Sequence, residues 1–172
     1  MKNILLLLFY LPVLGCAQAP ENRPKLSDQD FDKRLTTLLS FDVPLIGVEE
    51  LKAKQAEVKI FDTREKEEYE VSHIPGAVHL GYKHFDEKIL KDLPKDAPIV
   101  LYCSVGYRSE KIGGRLQQMG FKNVKNLYGS IFEWINQGNP VVDKNGKTTL
   151  KIHTYNKNWS RWVSVKKAEK VW

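Results

Sequence analysis

One stretch of the chain has residues whose types and order suit nucleophilic chemistry: Cys103, then Ser104, Val105, Gly106, Tyr107, Arg108 and Ser109. Ile99 to Tyr102 before the cysteine is a continuous apolar run that reads as a strand, and Ser109 to Met119 reads as a helix. A thiol at such a junction faces the backbone N–H groups of the loop and the positive end of the helix. Both stabilise an anion. They are expected to lower the thiol pKa and favour thiolate, the nucleophilic form. Gly106 allows a backbone conformation that other residues resist, and Arg108 adds a fixed positive charge to orient an anionic substrate. An inert buried cysteine would need neither the glycine nor the arginine.

The remaining candidates are weaker. Asp62 and Arg64 follow a second strand, Val58 to Phe61, and read as a pair that holds the site rather than one that does chemistry. His73 precedes Pro75-Gly76, which suits the centre of a type II turn, so it is expected to stabilise that turn. His79, His84 and His153 have no metal-ligand spacing and read as surface or packing residues.

The elements that must position Cys103 alternate along the chain. Helices are expected over residues 48–55, 65–71, 85–93, 109–119 and 131–136, and strands over 58–61, 78–80, 99–102 and 124–128. Together with the unbroken apolar run at Ile99, this predicts an α/β fold: a central, mainly parallel sheet with helices on both faces. In such sheets ligands bind beyond the carboxyl ends of the strands, where Cys103 falls. Gly113-Gly114 inside a helix, costing about 1 kcal/mol each relative to alanine, suggests close helix–sheet approach.

Three stretches together resemble the rhodanese-like domain family. They are Phe61-Asp62-Thr63-Arg64 with Tyr69 and His73 to Leu80; Ile99 to Ser109 with its Cys-x4-Arg-Ser loop; and Gly120-Phe121, Asn123-Val124, Leu127-Tyr128-Gly129 and Trp134. They span about residues 44–140 in the family's order. The resemblance implies the rhodanese-like fold and a single-domain sulfurtransferase. Cys103 would take the outer sulfur of thiosulfate, a persulfide or a polysulfide as a persulfide, then pass it to cyanide or a thiol. Backbone N–H groups of Ser104 to Ser109 would cradle that sulfur, with Arg108 and the Ser109 hydroxyl supporting its charge. No metal or organic cofactor is implied.

Phosphatases of the cell-division-cycle type, and arsenate reductases like them, share the fold but use a loop one residue longer. The Cys103–Arg108 spacing favours sulfur over a tetrahedral oxyanion. A non-catalytic binding or sulfur-carrier module is the rival of another class, and Cys103 counts against it. Ser130 stands where the family usually has a second glycine and makes an apparent capping box with Glu133. Val105 and Tyr107 are uncharged where some relatives carry basic residues, which weakens the case for thiosulfate.

Outside this region the chain carries an address and two extensions. Met1 to Leu14 has a basic start and an apolar run of about eleven residues, against the roughly 20 that span a bilayer, and so reads as a signal peptide over residues 1–15. Ala17-Gln18-Ala19 offers one cleavage site, but Pro20 follows it. Val13-Leu14-Gly15-Cys16 resembles a bacterial lipobox, which makes Cys16 a lipid anchor and residues 16–26 a tether on the periplasmic side of a membrane. Residues 27–43 read as a helical extension over Ser27 to Ser40, capped by Ser27.

The net charge of +6 lies wholly in the last 32 residues: residues 1–140 carry 19 basic and 19 acidic side chains, residues 141–172 eight and two. Two cysteines exclude a multi-disulfide scaffold. Asp143 to Lys147 reads as a turn and Thr148 to Tyr155 as a strand with Leu150 and Ile152 on one side. Trp159, Trp162 and Trp172 among lysines admit an anionic membrane surface or a protein partner. A hairpin packed on the domain with a solvated lysine face is the favoured reading, and nucleic acid does not suit an exported protein.

Overall fold

Residues 19–163 and 168–172 are described in the computed structural model. The signal peptide expected over residues 1–15, and the lipid anchor expected at Cys16, lie outside the described residues. Five short strands form one parallel sheet: β1 (Leu45–Ile46), β2 (Lys59–Asp62), β3 (Val78–His79), β4 (Ile99–Tyr102) and β5 (Val124–Leu127), in the order β1-β5-β4-β2-β3. Helices α1 (Gln29–Thr36), α2 (Val48–Lys54), α3 (Lys66–Val71), α4 (Tyr107–Gln118) and α5 (Ser130–Asn136) accompany it. β4 is central and buried at all four positions. Its alternate residues feed two cores: Val100 and Tyr102 join a cluster with Phe31, Leu127 and Trp134, while Ile99 and Leu101 join Val43, Phe61 and Leu116. A sheet covered on both faces needs such a run, because both sets of side chains must leave water.

Several sequence expectations need correction. The helix expected over 85–93 is only a 3-10 turn, Glu87–Leu90, because Leu90 alone in that turn is buried while Ile89 faces solvent. α1 is capped by Asp28, whose carboxylate accepts the N–H of Asp30 and Phe31; Ser27 turns instead to Glu133. α1 ends before Ser40 because the N–H groups of Ser40 and Phe41 leave the helical pattern for the Glu110 carboxylate. α4 starts two residues earlier than expected, so Tyr107 and Arg108 belong to its first turn. Strand β1, too short to show periodicity, was not anticipated.

Gly113 makes a close approach, but to Val43 in the segment before β1 rather than to the sheet as expected. A Cβ there would lie 2.9 Å from Val43 Cγ2, whereas Gly114 has open space. His73 does not brace the Ile74–Ala77 turn, which closes through its own backbone bond and Gly76 at φ 79°. It stacks on Tyr69, bonds the Tyr69 carbonyl through Nδ1, and pairs by backbone with Val142.

The C-terminal segment packs on the domain as a hairpin of β6 (Val141–Val142) and β7 (Thr148–Thr149), then β8 (Lys151–His153), α6 (Lys157–Ser160) and β9 (Glu169–Val171). The long strand expected over 148–155 breaks at Leu150, which is exposed while Ile152 is buried, so the two do not share a side. β8 pairs in parallel with β9. Phe31 of α1 stacks on Trp162 at 5.3 Å, and the Asn136 amide of α5 donates to the Trp162 carbonyl. The two extensions are thus packed together, and Trp172 remains exposed.

Candidate active site

β4 ends at Tyr102 and delivers Cys103 to the loop that opens α4. Gly106 sits at φ 115°, a region costly for residues with a Cβ, and forms the N-cap of α4. That conformation turns the loop's N–H groups inward: the Gly106 N–H donates to Cys103 Sγ at 3.1 Å, and those of Val105 and Ser109 also face the sulfur. Burial pushes the Cys103 thiol up, but Arg108 and these three N–H groups outweigh it, so its pKa lies below the ordinary thiol value. This direction favours the thiolate, the nucleophilic form. Above it opens a cavity of about 260 Å³.

The cysteine's own peptide is fixed from α5. Ser130 Oγ accepts the Cys103 N–H at 3.2 Å, and the Ile131 and Phe132 N–H groups donate to the Cys103 and Ser104 carbonyls. The capping box expected at Ser130 is not formed: its hydroxyl is engaged with Cys103 and the Leu127 carbonyl, and Glu133 binds Ser27 and Gln137. The serine in place of glycine therefore holds the nucleophile's backbone.

Arg108 is not a free cation awaiting substrate. Its guanidinium makes a two-pronged pair with Glu68 of α3, at 2.6 and 2.8 Å, and also donates to Ser104 Oγ. Burial raises the Glu68 carboxyl, but Arg108 and Arg64 more than offset this, and the residue is held as an anion. The pair ties α3 to the start of α4 and compensates much of the Arg108 charge. Ser109 also differs from expectation: its buried hydroxyl contacts Asn126 Oδ1 at 2.8 Å and the Gly106 carbonyl, so only its N–H serves the sulfur. Asn126 Nδ2 donates to the same Gly106 carbonyl, tying the loop to β5.

His153 lies 4.0 Å from Glu68, but its Nδ1 accepts the Tyr155 N–H and burial depresses its pKa. Both features favour its neutral form. Asp62 and Arg64 form a fully buried ion pair behind the site, with Arg64 also donating to the Ser72 carbonyl. Val105 and Tyr107 line the cavity. Reading the sequence missed Glu68, Asn126 and the part played by Ser130. A carboxylate partner was implied by an arginine at a buried loop, but Glu65, Glu67, Glu68 and Glu70 all lie in one short helical segment.

The Glu68→Gln variant follows from this arrangement. Loss of the carboxylate should uncover the Arg108 charge and lower the KM for thiosulfate several-fold. It should also cost about 2 kcal/mol of stability, the scale of a charged hydrogen bond. Donor titration and urea unfolding check both; an unchanged KM would show that Arg108 does not reach the donor.

The chain, whose Cys-x4-Arg loop lies beyond the central strand of a parallel sheet, matches the family model "Rhodanese-like domain" over residues 47–137. The chain belongs to that family. It is similar to a thiosulfate sulfurtransferase of Coxiella burnetii, 33% identical over 92 residues that cover 54% of this chain and 84% of the relative. A putative sulfur carrier protein of Bacillus subtilis is 36% identical over 95 residues, 54% of this chain; the chain spans about half that relative's length. Among solved structures, a rhodanese-related protein of Thermoplasma volcanium has a TM-score of 0.52 at 28% identity, covering 58% of this chain and 97% of that one.

Proposed function

We propose that the protein is a sulfurtransferase that moves a sulfane sulfur from thiosulfate, a persulfide or a polysulfide to cyanide or a thiol, through a persulfide on Cys103. The observation that carries this reading is that Cys103 lines a cavity at the end of β4 with the Gly106 N–H 3.1 Å from its sulfur, where Arg108 and the loop N–H groups favour an anion. The thiolate attacks the outer sulfur of the donor, the donor's S–S bond breaks, and the electron pair leaves with sulfite or a thiolate. The inward N–H groups then carry the charge of the terminal sulfur. Cyanide attacks that sulfur, forms thiocyanate and regenerates the thiolate. Intact mass after thiosulfate should show one added sulfur atom, removed by cyanide; no added mass favours a binding module instead.

The lipobox-like Val13-Leu14-Gly15-Cys16 supports export and anchoring through lipid on Cys16, on the periplasmic side of a bacterial membrane. Cys16→Ala should move the protein from the membrane to the soluble fraction in a fractionated host. Unchanged membrane retention would count against the lipid.

A further inference from the structure

The cavity over Cys103 is not built by the family's domain alone. Leu38 follows α1, and Tyr155 and Trp159 belong to the C-terminal segment, yet all three line it beside Cys103, Val105 and Tyr107. None of Leu38, Tyr155 and Trp159 falls within the residues matched by the family model. Further contacts hold them in place. Leu38 and Trp159 pack against the main core. The Arg34 guanidinium lies over the Trp159 ring at 5.6 Å, and that of Arg108 lies over Tyr155 at 5.5 Å. The N-terminal and C-terminal segments thus meet at the mouth of the site and give it an apolar, aromatic wall.

The charges of this lining nearly cancel. Lys83 and Glu65 contribute one of each sign, and Arg108 is engaged by Glu68. A small dianion such as thiosulfate would leave water for a pocket with little net charge and much apolar surface, which is unfavourable. An apolar group of moderate size would instead gain by burial against Leu38, Tyr155 and Trp159.

We infer that these three residues form a recognition site for the organic part of the sulfur donor, and that the preferred donors are organosulfur compounds that are neutral or singly charged, with an apolar, preferably aromatic, body. This rests on the sulfur-transfer reading and narrows it. For an organic thiosulfonate the Cys103 thiolate bonds to the outer sulfur, the S–S bond breaks, and the sulfinate departs with the electron pair. For an organic hydropersulfide the organic thiolate departs, and the proton stays on the transferred sulfur. No oxidant or reductant is needed in either case.

The test compares benzenethiosulfonate with methanethiosulfonate, which share the reacting sulfur and charge and differ in the body. Single-turnover persulfide formation on the full chain gives a ratio of rate constants, divided by the ratio that free cysteine shows at the same pH. The wild type should favour the aromatic donor by about ten- to hundredfold, the range a pocket extracts from small apolar differences. Trp159→Ala should reduce the ratio several-fold. Tyr155→Gly provides a second test: Tyr155 is exposed at φ 65°, where glycine is at ease, so the fold should tolerate it. A corrected ratio near one, or one unchanged in both variants, overturns the assignment while leaving sulfur transfer intact. Absence of persulfide with every donor overturns sulfur transfer and the assignment with it.

Discussion

Cys103→Ser should reduce persulfide formation and thiocyanate production to the uncatalysed rate. Loss of a covalent nucleophile costs on the order of 10⁶ in rate in well-studied hydrolases, and serine has no sulfur to extend. The fold should survive, because a serine hydroxyl can accept the Gly106 N–H that the sulfur accepts here. The same sulfur sets the pH dependence of the wild type. Burial raises its pKa, Arg108 and the N–H groups of Ser109, Gly106 and Val105 lower it, and the net shift is downward. The rate of sulfur capture should therefore rise with pH through this lowered value and then level off, with its midpoint below that of a free thiol. Stopped-flow capture of a donor across the pH range, beside free cysteine, reads both midpoints. A midpoint at or above that of free cysteine would mean that the loop does not stabilise the thiolate.

What the sequence revealed was what lies close along the chain. Cys103, Gly106 and Arg108 share a single loop and the strand before it is uniformly apolar, so nucleophile, turn and fold class could be read together. Asp62 and Arg64, two residues apart, could be read as a structural pair for the same reason. Glu68 could not: it meets Arg108 across 40 positions, through the packing of α3 near α4, and its neighbours Glu65 and Glu67 look equivalent in a string of letters. Ser130 was misread because serine followed three residues later by glutamate fits a helix cap. Its hydroxyl is taken by a backbone N–H 27 residues away, which local spacing cannot reveal. The wall made by Leu38, Tyr155 and Trp159 depends on two chain ends meeting, and only tertiary contacts define it. The basic tail was clearest in charge and least clear in role: Lys144, Lys147, Lys151 and Lys157 are exposed, while Tyr155 and Trp159 line the cavity.

The buried pair behind the site should show the largest effect on stability. Arg64 and Asp62 are both fully buried, and Arg64 Nε lies 3.0 Å from each carboxylate oxygen while its Nη2 donates to Oδ2 and to the Ser72 carbonyl. Arg64 Nη1 has no hydrogen-bond partner among the described residues, so the carboxylate is the main compensation for this charge. Asp62→Ala would strand a guanidinium in the core beside the Tyr102 ring. Breaking a buried pair from one side costs about 3–5 kcal/mol, which for a chain of this size lowers the melting temperature by about 10 °C. Replacing both partners, as in Asp62→Ala with Arg64→Met, removes the uncompensated charge and should recover much of that loss. The comparison also separates structure from chemistry. If the folded double variant still forms the Cys103 persulfide at a rate near wild type, the pair only holds β2 and α3 in place. If the double variant is stable and inactive, the pair acts on the reacting sulfur, and its assignment as scaffold is wrong.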